Sequence, residues 1–295
     1  MLVQSLKIFR DLVDTQRFSK TAVLNSVTQS AVSQQIKSIE KRHGKPLLKR
    51  KKRQISLTAE GEVFYRGARE IVRRYEEMQH RIEALEGVIS GTVRLSAIYS
   101  VGMRELGPYL KAYLKAHPRV NFRLEYNMAP KIYADVASSE IDLGIVAYPR
   151  PQRNVEVVPF SEDRMVVICH PSNPLATQES IDLKTLENYP LVLFNPETHT
   201  RQAIDRFFRK HRVHPKIAIE LEHIDIIKDS VEVDLGISLV PAPSVELEKR
   251  KGTLKVLTLK GEPLVRPLGI LQKRGRSLSP ATRKLLGVLT DTASF

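Results

Sequence analysis

Cysteine occurs once in the 295 residues, at Cys169, which excludes an intrachain disulfide and any cysteine-rich zinc site. No apolar stretch is long enough to cross a bilayer, and neither a lipidation motif nor a signal peptide is legible, so the expected location is cytoplasmic, with no membrane partner. Glycines do not gather into a phosphate loop of Walker or dinucleotide type: Gly44, Gly61 and Gly67 stand isolated. Acidic residues are the scarcer charge, 33 against 47 Lys and Arg, for a net +14. The imbalance is local. Residues 1–58 carry 13 Lys and Arg against 3 Asp and Glu, a net +10, which leaves +4 for the rest of the chain. The length suits two or three domains, and the apolar content is ample for buried cores.

A catalytic centre is hard to assemble from what remains. Cys169 and His170 adjoin at a strand end, and strand neighbours point to opposite faces, so they are badly placed as nucleophile and base; Cys169 is expected as a buried strand residue. His211 and His214 have a metal-like spacing, but they flank a helix end before Pro215 and lack companion ligands, so no metal is assigned. Glu76 and Glu77 sit on a helix where a solvated face explains them. No catalytic residue and no cofactor are expected.

Residues 18–61 are the most informative span. Ser19 is an expected N-cap for a short helix through Ala22, Val23 and Leu24, and Asn25, Ser26 and Val27 break it. Thr28 caps a second helix over 29–40, in which Val32, Ile36 and Ile39 recur at helical spacing and face a core. The opposite side shows Gln29, Ser30, Ser33, Gln34 and Lys37. Amide-tipped and short polar groups can reach base edges in a major groove, Gln pairing with adenine and Lys reaching guanine or phosphate. A merely solvated helix would more often carry mixed Glu and Lys pairs. Five cations follow, Lys49, Arg50, Lys51, Lys52 and Arg53, bracketed by Leu47, Leu48, Ile55 and Leu57. Residues 54–58 alternate like a strand that ends in a capping Thr58, which makes a cationic hairpin, or wing. Arg50, Lys51, Lys52, Arg53 and Thr58 are expected to hold the phosphate backbone or enter the minor groove, adding affinity with little sequence information.

From Gly61 to about residue 86 the chain reads as one helix. Phe64, Ala68, Ile71, Tyr75, Met78, Ile82 and Leu85 are spaced alternately four and three apart, a heptad seam. Either the helix lies on its own domain or it pairs with a second copy; the charged flanks favour pairing, and two reading helices on a pseudo-palindrome gain affinity together. Residues 87–91 look like a hinge.

Beyond Thr92 strands alternate with helices, the mark of an α/β fold with a largely parallel sheet. Strands are expected over 92–98, 120–126, 142–147, 165–169, 191–194, 216–221, 236–240 and 268–271. Helices are expected over 105–116, 130–138, 201–210, 224–233 and 280–290. Two α/β lobes joined by crossover strands enclose a cleft. Ligands of open α/β sheets sit beyond the strand carboxyl ends, near helix N-termini. Two such places stand out: Ser100, Val101 and Gly102 after the first strand, and Thr198, His199, Thr200 and Arg201 after residues 191–194. Hydroxyls from Ser100, Thr198 and Thr200, with charge from His199 and Arg201, suit a small organic anion. The alternative is that Thr198 and Thr200 only cap the helix and Arg201 is solvated.

These features together resemble the LysR-type transcriptional regulators. The resemblance covers Phe9, residues 18–22, residues 28–36, Ile39, Glu40, Gly44, Leu47, Arg50 and residues 57–61, with Ser30, Thr21 and Leu48 departing where Pro, Ala and Phe are common. It extends more loosely to residues 90–95, 141–145 and 235–241, with Asp234 where the family often has Gly. It implies a winged helix-turn-helix over 1–60, a linker dimerisation helix and hinge over 61–90, and an effector-binding domain over 91–295 similar in fold to periplasmic binding proteins. Lobe I takes about 91–160 and 267–295, lobe II about 161–266. The resemblance also implies double-stranded DNA, a small-molecule effector and self as partners, the helix pairing antiparallel into dimers and commonly tetramers, with RNA polymerase as a further partner. Ligand closure of the lobes would then change DNA bending. Two other classes fit parts of the pattern: a nonspecific DNA-architectural protein, and an enzyme with an appended DNA domain, which lacks a nucleophile and base.

Overall fold

Phe9, Leu12, Val32 and Ile36 are wholly buried, and the first unit is built around them. The computed structural model describes residues 3–51 and 54–291, which divide into two units between Gly91 and Thr92. In the first unit α1 (Val3–Thr15), α2 (Phe18–Leu24) and α3 (Gln29–His43) precede a hairpin of β1 (Leu48–Lys51) and β2 (Gln54–Leu57), then the long α4 (Ala59–Leu85). Phe64 of α4 and Phe9 meet in a T-shaped contact with 4.9 Å between centroids. Each fully buried side chain of this kind stabilises the unit by about 1.5–3 kcal/mol relative to exposure.

Local chemistry sets the boundaries. Thr28 accepts the Ala31 amide at 3.1 Å as expected, and α3 runs three residues past the predicted end, to a left-handed Gly44. Ser19 is not a cap: Arg17 occupies that position without a side-chain bond, and Ser19 lies exposed inside the first turn. The loop after α2 is held instead by Asn25, which donates to Asp11 at 2.9 Å. Helix α4 begins two residues before the predicted Gly61, since Thr58 accepts the Gly61 amide at 2.9 Å. Gly61 is required there because a Cβ would lie 2.0 Å from the Leu47 carbonyl oxygen.

The second unit contains β3 (Gly91–Ala97), α5 (Gly102–Ala116), β4 (Val120–Tyr126), α6 (Ala129–Ser138), β5 (Leu143–Ala147) and the fifteen-residue β6 (Val155–Cys169). It continues through β7 (Ser180–Ile181), β8 (Pro190–Phe194), α7 (His199–Lys210), β9 (Lys216–Leu221), α8 (Ile224–Glu232) and β10 (Ser238–Pro241). The chain then adds α9 (Glu246–Lys251), β11 (Lys255–Leu259), β12 (Val265–Lys273) and α10 (Pro280–Thr290). One sheet runs β4-β3-β5-β12-β6-β11-β7, with β10 also on β6.

The largely parallel sheet expected from strand–helix alternation is corrected to a mixed one. β3 and β5 are parallel, but β12 runs antiparallel to both β5 and β6, and β10 and β11 run antiparallel to β6. The physical reason is that β6 and β12 are crossover strands. β6 pairs with β12 over 155–164 and with β10 and β11 over 165–169, so one strand serves both lobes. A bulge at Leu268 and Gly269 shifts the register at the passage. Asp234 has φ +59, the left-handed conformation that glycine takes without strain and aspartate tolerates better than most.

Candidate nucleic-acid interface and ligand cleft

Helix α3 presents two unlike faces. Val32, Ile36 and Ile39 point into the core, while Gln29, Ser30, Gln34 and Lys37 are exposed and Ser33 is half-buried. The polar face is therefore available to a partner. Ser30 shares a hydrogen bond with Thr28 at 2.9 Å, and Gln35 is withdrawn from the face by Ser5, which donates to its amide oxygen at 2.8 Å. Glu40 accepts the amides of Leu47 and Leu48, fixing the hairpin against the end of α3.

The wing residues divide. Lys49 is exposed on β1; Lys52 and Arg53 lie outside the described residues, as do the side chains of Arg50 and Lys51. Thr58 is corrected. Its hydroxyl donates to the Pro46 carbonyl at 2.8 Å and accepts from Gly61, and the residue is buried, so it caps α4 and does not reach a phosphate.

The α4 seam divides into two halves. Phe64 and Ala68 pack with Leu6 and Val72 inside the unit. Ile71, Tyr75, Met78, Ile82 and Leu85 are exposed, Leu85 at 88%. An apolar row this open on a folded chain marks a surface for association.

In the second unit a space of about 580 Å³, open to solvent, lies between the lobes. Ile98, Ser100, Asn127, Met128 and Pro130 face it from lobe I; Phe194, Thr198, His199, Thr200 and Ile224 face it from lobe II. The N-termini of α6 and α7 border it. Asn127 donates to Ser96 at 3.1 Å, and the His199 ring lies 3.4 Å from the Ala147 carbonyl across the gap. Thr198 both lines the cleft and caps α7, accepting the Arg201 amide at 3.2 Å. Val101 is buried and borders, with Gly102, a second opening that also meets Tyr99 and Ser100.

Arg201 is corrected in both of its expected roles. It is neither solvated nor free to meet an anion: the guanidinium donates to Asp205 at 2.8 Å, to Glu220 at 2.8 Å and to the Phe194 carbonyl at 2.7 Å. The charge is consumed within lobe II. The residues bordering the cleft include Glu197 and Glu222 and, among the described residues, no Lys or Arg. Its other polar groups are hydroxyls, the Asn127 amide, the His199 ring and helix N-termini.

Sequence reasoning missed a buried ionic cluster where the crossover strands meet. Arg266 on β12 is wholly buried and stands directly opposite Asp163 on β6; its Nε donates to Asp163 at 2.8 Å, its Nη2 meets the same carboxylate, and its Nη1 donates to Ser100 Oγ at 2.7 Å. Glu105 lies nearby and accepts from Ser161 at 3.1 Å. Burial, and then Asp163, push the Glu105 carboxyl up to about 7. The alternation of β6 held the one available signal, a charge at Asp163 two residues before buried Met165 with exposed Arg164 between them, but its partner is 103 residues away.

Cys169 is buried as expected, and burial pushes its thiol up to about 11, the opposite of an activated nucleophile. His211 approaches Glu262 at 3.3 Å, and the described residues contain no group of three or more His, Cys, Asp or Glu arranged to hold a metal.

Comparison with known proteins places this geometry. Residues 3–62 match the model of the bacterial regulatory helix-turn-helix protein, lysR family, and residues 86–294 match the LysR substrate binding domain. The HTH-type transcriptional activator CmpR of Synechocystis sp. is 28% identical over 287 residues, 97% of this chain and 94% of that protein. Among solved structures, a full-length OxyR variant from Pseudomonas aeruginosa has a TM-score of 0.74 at 20% identity, covering 99% of this chain and 94% of that one. Full-length CbnR complexed with its target DNA has a TM-score of 0.71 at 19% identity, covering 98% and 99%. No described helix is long and apolar enough to cross a membrane. With both family models together spanning nearly the whole chain, the protein belongs to the LysR family of DNA-binding transcriptional regulators, with a ligand-binding domain and no enzymatic role.

Proposed function

We propose a division of labour in which residues 1–60 read DNA, residues 61–90 pair two copies, and residues 91–295 sense a small molecule between two lobes. Gln29, Ser30, Ser33, Gln34 and Lys37 contact base edges in the major groove, and Lys49 to Arg53 clamp the backbone or minor groove. The observation that carries this reading is the split of α3, with Val32, Ile36 and Ile39 inward and the amide and hydroxyl side outward. The exposed row from Ile71 to Leu85 supports a homodimer built along α4, and dimers of that kind can join as tetramers. The protein works in the cytoplasm, where it meets DNA.

The effector sits in the interlobe cleft against Ser100, Thr198, His199 and Thr200, with Arg201 acting only as a brace for α7. Its apolar body packs on Ile98, Phe194 and Ile224. Closing the lobes changes the angle between dimers and with it the bend of the DNA. Selection of bound sites from randomised duplex, with and without a metabolite pool, tests the whole reading. A preferred site held over random duplex by about three orders of magnitude or more is expected. Indifference to sequence would favour an architectural protein.

A further inference from the structure

Ser100 belongs to the turn between β3 and α5, where it borders both the interlobe cleft and the second opening. A serine hydroxyl ordinarily rotates to suit its surroundings and can donate or accept. Here one lone pair is taken: Arg266 Nη1 donates to Ser100 Oγ at 2.7 Å. The guanidinium cannot turn away, because the residue is wholly buried and its Nε is held on Asp163 at 2.8 Å by the cross-strand register of β6 and β12. Among the described residues no acceptor takes the Ser100 proton. Accepting a hydrogen bond from a cation also polarises an O–H bond and strengthens it as a donor.

We infer that Arg266 is a positioning residue that occupies one acceptor position of the Ser100 hydroxyl and biases it to donate toward the cleft, so that the cleft favours effectors presenting an oxygen acceptor at that point. The inference rests on the cleft being the effector site. Carboxylates, phosphate esters and carbonyl compounds meet the requirement; an ammonium group, which can only donate, meets a single remaining lone pair on an oxygen already polarised by a cation and is disfavoured. Arg266 never touches the ligand. Its contribution is directional: it occupies one of the two acceptor lone pairs and polarises the O–H bond, biasing an ambivalent hydroxyl toward donation, and the ion pair with Asp163 keeps the site from carrying net positive charge.

The test uses the full chain and calorimetric titration with a panel of small carboxylates, phosphate esters and carbonyl compounds, matched in size by alkylammonium compounds. Wild type is expected to bind members of the acceptor panel in preference. Ser100→Ala and Arg266→Lys should each weaken them about tenfold, a lysine lacking the fork that reaches Asp163 and Ser100 together. The double variant should be no weaker than Ser100→Ala alone, since Arg266 acts through that hydroxyl. Additive losses, unchanged binding in Arg266→Lys, or preference for the ammonium panel would overturn the inference while leaving the cleft as the binding site. Should Arg266→Lys fail to fold, Ser100→Cys replaces it, a weak donor in nearly the same shape; unaltered affinity there overturns the donor assignment. If no compound of either panel binds wild type, the cleft reading itself fails, and this inference with it.

Discussion

The Glu40 carboxylate accepts the backbone amide of Leu47 at 2.9 Å, and through the same oxygen the amide of Leu48 at 3.1 Å. The end of the reading helix thus carries the start of the wing. Glu40→Ala leaves both amides without that partner, at a cost of about 1–3 kcal/mol. A lower melting temperature is expected, with weaker binding to specific and random duplex alike. An unchanged melting temperature would show that the two bonds contribute nothing.

Gln34 and Lys49 should fail in different ways. Gln34→Ala removes an exposed amide from the reading face and is expected to relax base preference by about 1–3 kcal/mol at one position of the site. Lys49→Ala removes an exposed cation proposed to meet phosphate, and is expected to weaken all sequences and lower the salt slope by about 1. Salt titrations against specific and random duplex separate the two. Equal effects from both substitutions would dissolve the distinction between reading and clamping.

Gly61→Ala places a methyl group 2.0 Å from the Leu47 carbonyl oxygen, a backbone atom that cannot yield easily. The first turn of α4 must move off the hairpin. Destabilisation of about 1–3 kcal/mol is expected in denaturant melts. Gly67→Ala is its control: no atom lies within 4 Å of the added carbon, so helix propensity alone should make it neutral or slightly stabilising.

Ile82→Glu introduces a charge into the open apolar row of α4, 57% exposed, without touching the core formed by Leu6, Ala68 and Val72. Folding should persist while self-association weakens at least tenfold in sedimentation equilibrium, with loss of tight binding to paired half-sites. A variant that still associates like wild type would move the pairing surface elsewhere.

Glu105 makes stability depend on pH between about 4.5 and 7, its ordinary and its raised values. In that window the native state keeps a proton that the unfolded chain releases, so the contribution is fully present at lower pH and is lost as pH rises through 7. Asp163, Arg266 and Ser161 are the groups that face it. Wild type should therefore lose melting temperature relative to Glu105→Gln from pH 5 to pH 8. A constant difference across that range would show that Glu105 titrates as an ordinary carboxylate.

How much of this was legible in the sequence depended on the range of the interactions. Thr28 with Ala31, the recurrence of Val32, Ile36 and Ile39 at intervals of four and three, and the row from Ile71 to Leu85 are local, and each was readable from spacing. The exact strand limits over 120–126 and 216–221 were also readable, from alternation. Arg201 and Arg266 were not. Each is a charge in an ordinary helix or strand pattern, and only partners brought in by the fold, Glu220 for one and Asp163 for the other, turn it inward. The first half of β6 was hidden for a related reason. Pro159 and the charges at Glu156, Glu162 and Asp163 resemble a loop until β12 supplies the neighbouring backbone.

A strand that serves both lobes, β6, paired over 155–164 with β12, has a mechanical consequence. The lobes share a spine of hydrogen-bonded rungs, so neither can drift from the other; they can only flex about that axis, with Phe160 at the register slip as the natural crease. A ligand bound between the lobes would therefore work against a joint that stays connected throughout.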